Sequence, residues 1–207
     1  FWDTATWTRI GEAPSGGIGP HDLRLMPDGA HLVVANGGIA TDPTDRTKLN
    51  IPDMQPNLSL LTTAGAMVDQ VAPAPALNRL SIRHLAVRGD GLVAFAMQWE
   101  GPPEQVVPLL GLWHGSAPLL AQAPAGEAAL MNGYAGSVAL AGDGQSVAIT
   151  SPRGGRVQRF AVDGTFLDAF ARADVCGAAP LGTALMTSDG GGALIAVSPG
   201  LASFSNL

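Results

Sequence analysis

Two pairs of adjacent polar residues, His21-Asp22 and Arg83-His84, are the side chains of this sequence best suited to chemistry. Imidazole and carboxylate groups bind transition metals and transfer protons, and a guanidinium binds anionic groups. Each pair stands directly before an apolar stretch that leads to an Asp-Gly dipeptide. The two pairs therefore hold the same place in two copies of one pattern, and we expect the fold to bring them to the same side.

The same residues have a structural interpretation, which stays open. No spacing typical of a metal site joins His21, Asp22 and His84. Asp22 could form an ion pair with Arg83 across two neighbouring units, and a histidine at the end of a strand often hydrogen-bonds its neighbours. We expect no metal and no cofactor, and we keep these three residues as the candidate ligands if a metal does bind.

Similar polar residues follow other apolar stretches. Trp99-Glu100 precedes a rigid Gly-Pro-Pro turn and offers an aromatic anchor beside a carboxylate. Arg153 lies in a glycine-rich loop, where a guanidinium near backbone N–H groups either binds an anion or is simply a solvated charge. The full set of candidate binding residues is His21, Asp22, Asn36, Arg83, His84, Trp99, Glu100 and Arg153.

The composition argues against several classes of function. The formal net charge is -6 and Lys and Arg form no run, so nucleic acids and anionic membrane surfaces find no basic patch. Cys176 is the single cysteine, which excludes an intrachain disulfide and a cysteine-based zinc site. The sequence has no apolar run of about 18 residues, no nucleophile elbow, no P-loop and no dinucleotide-binding fingerprint. We therefore expect no nucleic-acid binding and no membrane insertion.

Four similar segments provide the elements that must position the polar residues. Each has an alternating apolar stretch, an Asp-Gly turn that supplies the positive φ of a tight hairpin, and a second apolar stretch. Weaker strands follow the first and third segments, and only residues 123–133 have the pattern of a short helix. The four segments are HDLRLMPDGAHLVVAN (21–36), RHLAVRGDGLVAFAMQ (83–98), GSVALAGDGQSVAITS (136–151) and GTALMTSDGGGALIAV (182–197).

Four antiparallel strands per unit predict an all-β fold, a β-propeller built of four-stranded blades. A β-sandwich also strings strands and turns together, but it does not require four copies of one hairpin. About four blades do not close a ring, so we expect the chain to be truncated at both ends. The predicted single domain 1–207 consists of outer strands of a preceding blade (1–18), a blade with a long insertion at 37–56 (19–75), two further blades (81–124 and 133–174) and an incomplete blade (176–207).

The topology of a blade predicts which end of the channel carries the polar residues. The first strand is innermost, so the Asp-Gly turns that follow it lie at one end, here called the bottom, and the polar pairs lie at the other, the top. The insertion 37–56 also leaves from the top, and its Leu49, Ile51 and Met54 are expected to pack against the blades. A loop of this length is usually functional, which favours a lid over the channel mouth; sealing of the blade ends is the alternative.

The side-chain alternation of a strand adds a prediction about the two polar pairs. Successive side chains point to opposite sides, so Asp22 and His84 should turn one way, and His21 and Arg83 the other. The pair that faces the channel would then lie close enough to share a ligand.

Several longer stretches of the sequence are distinctive when taken together. They are GGIGPHDLRLMPDGAHLVVANGGI, KLNIPDMQPNL, SIRHLAV, QWEGPP, GYAGSVAL, TSPRGGRV and DVCGAAP. Together they resemble a bacterial family known only as a domain of unknown function, number fifteen-thirteen. The resemblance implies a seven-bladed, WD40- or YVTN-like propeller exported to the periplasm, with further blades before FWD and a closing strand after SFSNL. It implies no activity, and its only functional association is with neighbouring genes for imelysin-like iron-regulated proteins and a di-haem oxidoreductase.

Two functional hypotheses follow from the residues and the resemblance. The first, which we favour, is a non-enzymatic periplasmic propeller that binds a partner protein or a small ligand on its top face, in the context of iron uptake. The second is a lactonase-like or metal-dependent hydrolase that uses His21, Asp22 and His84 around the channel. The first blade does resemble lactonase-type propellers, but the shared residues are those that propellers in general need, so they transfer no mechanism.

Overall fold

The structure, a computed structural model, describes residues 1–197 and is almost entirely β. Two short strands, β1 (Trp2–Asp3) and β2 (Thr8–Arg9), pair with each other near the amino-terminal end. Their assignment as outer strands of a preceding blade stays a prediction. In the described part of the chain the one α-helix is α1 (Ala125–Ala129), with short 3-10 turns at Ile51–Asp53 and Pro75–Leu77.

Four antiparallel sheets follow, and within each the strands are hydrogen-bonded in chain order. The first has β3 (Pro20–Leu25), β4 (His31–Asn36), β5 (Asn57–Thr62) and β6 (Met67–Val71). The second has β7 (Leu80–Val87), β8 (Val93–Trp99), β9 (Leu110–Trp113) and β10 (Leu119–Ala121). The third has β11 (Ser137–Leu140), β12 (Ser146–Ser151), β13 (Arg156–Ala161) and β14 (Phe166–Ala171), and the fourth has β15 (Val175–Leu181), β16 (Ala184–Asp189) and β17 (Leu194–Val197).

The first strands of successive sheets lie side by side, with β3 next to β7, β7 next to β11 and β11 next to β15. Sheets of up-and-down strands arranged around their first strands are the blades of a propeller, and a sandwich would stack two sheets face to face instead. The prediction of an all-β partial propeller of about four blades is therefore confirmed, and the sandwich alternative is wrong. A ring of seven blades stays a prediction.

Apolar side chains from facing blades form the core. Phe95 and Phe160 are fully buried in the larger of two clusters, and Val157, Leu185 and Ile195 belong to the smaller one between the third and fourth blades. Phe95 needs a glycine opposite it, because a Cβ on its cross-strand partner Gly111 would lie 2.0 Å from the ring. No helix within residues 1–197 is long and apolar enough to cross a membrane.

Three Asp-Gly turns join the first two strands of a blade, as predicted. In each turn the glycine has a positive φ, and the aspartate accepts a hydrogen bond from the backbone N–H two residues later, as from Ala30 to Asp28, Leu92 to Asp90 and Gln145 to Asp143. The first three blades therefore have the same kind of turn at the bottom.

The fourth segment corrects the sequence analysis. Asp189-Gly190 joins the second and third strands, β16 and β17, and therefore lies at the top; a turn at Gly182 joins β15 and β16. The alignment of residues 182–197 as a first hairpin is wrong because the dipeptide fits any tight turn, including Asp163-Gly164 between β13 and β14. The end of the predicted incomplete blade, from residue 198 onward, lies outside the described residues.

Candidate functional site

A β-bulge interrupts the innermost strand of three blades at the same place. Against the neighbouring strand, His21 is the extra residue in β3, Arg83 in β7 and Cys176 in β15. Bulges re-aim a side chain and are common next to binding sites. The register therefore brings an imidazole, a guanidinium and an exposed thiol to corresponding positions at the top of the channel.

His21 and His84 lie in contact across two blades, with ring centroids 4.7 Å apart and the ring planes perpendicular. The pKa of each imidazole is lowered, first by partial desolvation and also by the positive charge of Arg83, so both rings are neutral at pH 7. A bulge interrupts the simple alternation of the strand at His21 in β3 and at Arg83 in β7, so the predicted directions of the four side chains stay a prediction.

Asp22 joins two blades rather than facing a ligand. Its Oδ2 accepts a hydrogen bond of 2.9 Å from the backbone N–H of Leu85 in the second blade and one of 3.2 Å from Arg24. Arg24 also donates through Nε to the carbonyl oxygen of Leu85, at 3.2 Å. The predicted ion pair between Asp22 and Arg83 is wrong; the carboxylate pairs with Arg24 and with backbone, and so closes a cross-blade link.

Arg83 stands at the centre of the polar cluster. Its side chain is 18% exposed, and the nearest carboxylate oxygen, Oε1 of Glu100, lies 3.9 Å from Nη2, which is beyond hydrogen-bond reach. Its Nε is buried and has no acceptor among the described residues. Desolvation lowers the pKa of the guanidinium, and Glu100 and Tyr134 partly offset this, so Arg83 remains charged.

Two further residues complete the cluster, which we name the top cluster: His21, Arg83, His84, Glu100, Tyr134 and Arg153. The Arg153 guanidinium lies over the Tyr134 ring, 4.3 Å from its centroid. Trp99 lies beside the top cluster, but its contacts are with its own turn. Its Nε1 donates to the carbonyl of Pro102 at 2.9 Å, and its indole covers Gly101. No feature of the sequence indicated that Tyr134 would contact Arg153.

Asn36 is fully buried in an internal polar network. Its Nδ2 has three acceptors within reach, Oδ1 of Asn57 at 2.8 Å, Oγ of Ser59 at 3.1 Å and the carbonyl of Ser15 at 3.1 Å, and its Oδ1 has no partner among the described residues. These contacts fix the segment before the first blade onto β4 and β5. The predicted role of Asn36 in binding stays a prediction. The end of an apolar strand looks the same in sequence whether the polar residue there faces solvent or an internal network.

The insertion 37–56 is packed at its base, and its tip reaches the second blade. Met54 is 2% exposed, as expected for a packed residue, but Leu49 is 62% exposed, so its predicted packing is wrong. The tip, residues 41–48, is a small hairpin closed by a bridge between Thr41 and Lys48. Lys48 reaches Glu100 of the second blade at 2.5 Å, a contact that no feature of the sequence indicated.

Two grooves lie along the blades, and one of them reaches the top cluster at His21. One, of about 470 Å³, is the wall of the channel formed by the innermost strands, including Leu25, Leu85 and Val138. The other, of about 570 Å³, runs along the outer face of the first blade past Leu23 and has His21 and Asp22 at its edge. The convergent polar groups are therefore those of the top cluster.

The three candidate metal ligands are engaged in different contacts. Among residues 1–197, no three His, Cys, Asp or Glu side chains converge in a way that could hold a metal ion. His21 and His84 touch each other, but the Asp22 carboxylate is taken by Leu85 and Arg24.

The lowered pKa of His21 and of His84 predicts a pH dependence of stability. In the unfolded chain the histidines have their ordinary pKa near 6.5, so below that pH they bind protons that His21 and His84 do not bind in the folded state. The free energy of unfolding therefore falls as the pH drops below about 6.5. We expect a His21→Gln/His84→Gln variant to lose less stability than the natural protein between pH 7 and pH 5. Chemical denaturation of the natural full-length polypeptide at each pH measures this; parallel curves for the two proteins would contradict it.

The fold has close counterparts among solved structures. A protein of unknown function from Bacteroides caccae superposes with a TM-score of 0.60 at 9% identity, over 99% of this chain and 66% of that one. The WD40 repeats of RRP9 give a TM-score of 0.59 at 12% identity, over 92% of this chain and 51% of that one. The β-propeller domain of Cps50 (Swd1) from Myceliophteria thermophila gives a TM-score of 0.59 at 9% identity, over 86% and 54%. The chain thus spans 51% to 66% of the length of these structures.

Blades that adjoin through their first strands and match solved propellers define the class of this protein: it is part of a β-propeller. The profile of a family described as protein of unknown function (DUF1513) matches residues 1–206, and the chain belongs to this family. The family resemblance seen in the sequence is therefore confirmed. No curated protein gives a significant match.

Proposed function

We propose that this protein is a binding propeller whose top cluster contacts a small ligand or a partner protein. The observation that carries the proposal is the aligned set of bulges, which gives the top of three innermost strands His21, Arg83 and Cys176. The bottom, by contrast, has Asp-Gly turns whose aspartates cap their own backbone. Groups free to bind an outside molecule are thus concentrated at one end.

The hydrogen bonds that Asp22 already makes favour a binding function over hydrolysis. A hydrolase built on His21, Asp22 and His84 would need the carboxylate to orient a histidine or a nucleophile. Here that carboxylate is already engaged by Leu85 and Arg24. The imidazoles of His21 and His84 lie in contact as neutral groups at the top of the channel, an arrangement that suits recognition.

The tip of the insertion supplies a lid in this proposal. The Lys48–Glu100 contact holds residues 41–48 against the second blade, next to Arg83. Location in the periplasm and a role in iron uptake are the context that the family resemblance adds, and both remain proposals.

The test compares two matched sets of variants in the natural full-length polypeptide. The top variant replaces residues 41–48 by Gly-Gly, since Ala40 and Leu49 are already hydrogen-bonded across that gap, and adds Arg153→Ala. The bottom variant carries Gln145→Ala and Asp143→Ala. Affinity purification from the native host with quantitative mass spectrometry, and a thermal-shift screen of metabolites, measure what each protein retains.

We expect every specific ligand or partner to be retained by the bottom variant and lost by the top variant. Folding should survive in both, because loop tips tolerate replacement and the buried base of the insertion, including Met54, is kept. A ligand or partner that depends on the bottom turns and not on the top would overturn the proposal.

A further inference from the structure

We infer that the top cluster binds a carboxylate group of its ligand, with Arg83 as the principal contact. The inference rests on the proposed function and names the chemistry that the top face recognises. It starts from the way this chain uses its arginines.

Most arginines of the protein are already paired. Of the ten in the sequence, six donate a hydrogen bond to a carboxylate of the chain itself. Arg83 does not, although its 18% exposure makes it more buried than most of the paired ones. The six pairs are Arg9–Glu12, Arg24–Asp22, Arg88–Asp90, Arg156–Glu127, Arg159–Asp168 and Arg172–Asp189.

The nearest acid cannot satisfy Arg83. Glu100 is engaged by Lys48 at 2.5 Å, and its other oxygen stays 3.9 Å from the guanidinium. A buried, charged donor group without an acceptor is costly, and native structures rarely keep one unless another molecule supplies the missing partner. The Nε of Arg83 is such a group among the described residues.

The neighbours of Arg83 complete a site for an anion. The Arg153 guanidinium lies over the Tyr134 ring, 4.3 Å from its centroid, and so adds a second positive charge to the top cluster. The imidazoles of His21 and His84 add hydrogen-bonding groups without a competing charge. The top cluster thus offers two guanidiniums and neutral hydrogen-bonding groups to an anionic ligand.

The shape of the guanidinium suits a carboxylate. Its planar fork binds a planar carboxylate through two parallel N–H donors, and phosphate serves as the comparison anion in the experiment. Such a carboxylate can belong to a small organic acid or to an acidic segment of a partner protein, and the experiment distinguishes these two sources.

The experiment follows the histidine signals of the natural full-length polypeptide by NMR. The probes are malonate, a blocked tri-glutamate peptide and inorganic phosphate. Malonate or the peptide should shift the signals of His21 and His84 saturably and raise the pKa of both, because the bound anion offsets the Arg83 charge that lowers it. The signals of His31 and His114, at the bottom beside Asp28 and Asp90, should not respond.

Matched arginine variants provide the control. Arg83→Gln should weaken binding of the better probe by about tenfold or more, as expected for loss of a charge-assisted contact. Arg88→Gln removes the same charge five residues away on the second blade, at the bottom beside Asp90, and should leave the affinity within about twofold. Thermal unfolding of each variant verifies that it is folded before the titration.

The outcomes separate this inference from the proposed function. Tighter binding of malonate than of the peptide assigns the carboxylate to a small molecule, and the reverse assigns it to a partner protein. Equal weakening by the two arginine variants, no saturable response to either carboxylate, or tighter binding of phosphate would overturn the inference. A ligand or partner that the top variant loses but Arg83→Gln retains would overturn it as well, and would leave the proposed function standing.

Discussion

An Asn36→Ala variant is expected to lose about 2–4 kcal/mol of unfolding free energy, because the change removes the donor of a buried network. The Asn36 amide donates to Asn57, Ser59 and Ser15, and it is fully buried. Alanine would leave three acceptors without this partner and a small cavity between β4 and β5. Urea denaturation of the natural full-length polypeptide measures the loss.

A polar residue at the bottom provides the matched control for Asn36. Gln145 is exposed, and its side chain makes a single hydrogen bond of 3.4 Å to the backbone of Asp143. Gln145→Ala should therefore change the unfolding free energy by no more than about 0.5 kcal/mol. If Asn36→Ala were equally mild and lost ligand binding instead, Asn36 would be a binding residue, as its position in the sequence first indicated.

The blades were predictable because they depend on local signals. Apolar alternation and the Asp-Gly turn are encoded within about 16 residues, and the repetition of this pattern along the chain predicts the strands, the hairpins and the order of the blades. The alignment of His21 with Arg83 and of Asp22 with His84 also holds, since each pair has the same place in the strand ladder. The same reliance on a dipeptide misplaced the fourth hairpin, because Asp189-Gly190 fits a turn at either end of a blade.

The composition of the top cluster was less predictable because it depends on contacts between distant residues. The bulges at His21 and Arg83 arise from the pairing of whole strands, and no residue type in the sequence predicts them. The Lys48–Glu100 contact joins residues 52 positions apart, through a loop whose path the sequence does not specify. Which polar residue becomes a link between blades, and which stays free, is decided by such long-range geometry.

Asp22 is an example of a polar residue that links two blades. An Asp22→Ala variant is expected to lose about 2–3 kcal/mol of unfolding free energy. Its carboxylate is 16% exposed and is the acceptor for both the Leu85 N–H at 2.9 Å and Arg24 at 3.2 Å. Removing it leaves a backbone donor unpaired between two blades and releases Arg24, which together cost that much. Asp53→Ala, at an exposed position in the insertion, is the control and should cost no more than about 0.5 kcal/mol.

A second substitution at the same position separates the structural role of Asp22 from a role in binding. Asp22→Asn keeps an oxygen that can accept from Leu85 and loses the charge that attracts Arg24, so it should recover at least half of the stability lost by Asp22→Ala. Because the carboxylate is committed between blades, the asparagine variant should bind malonate or the tri-glutamate peptide as tightly as the natural protein. If Asp22→Asn kept full stability and abolished probe binding, the carboxylate would belong to the site, and the hydrolase built on His21, Asp22 and His84 would be the better account of this propeller.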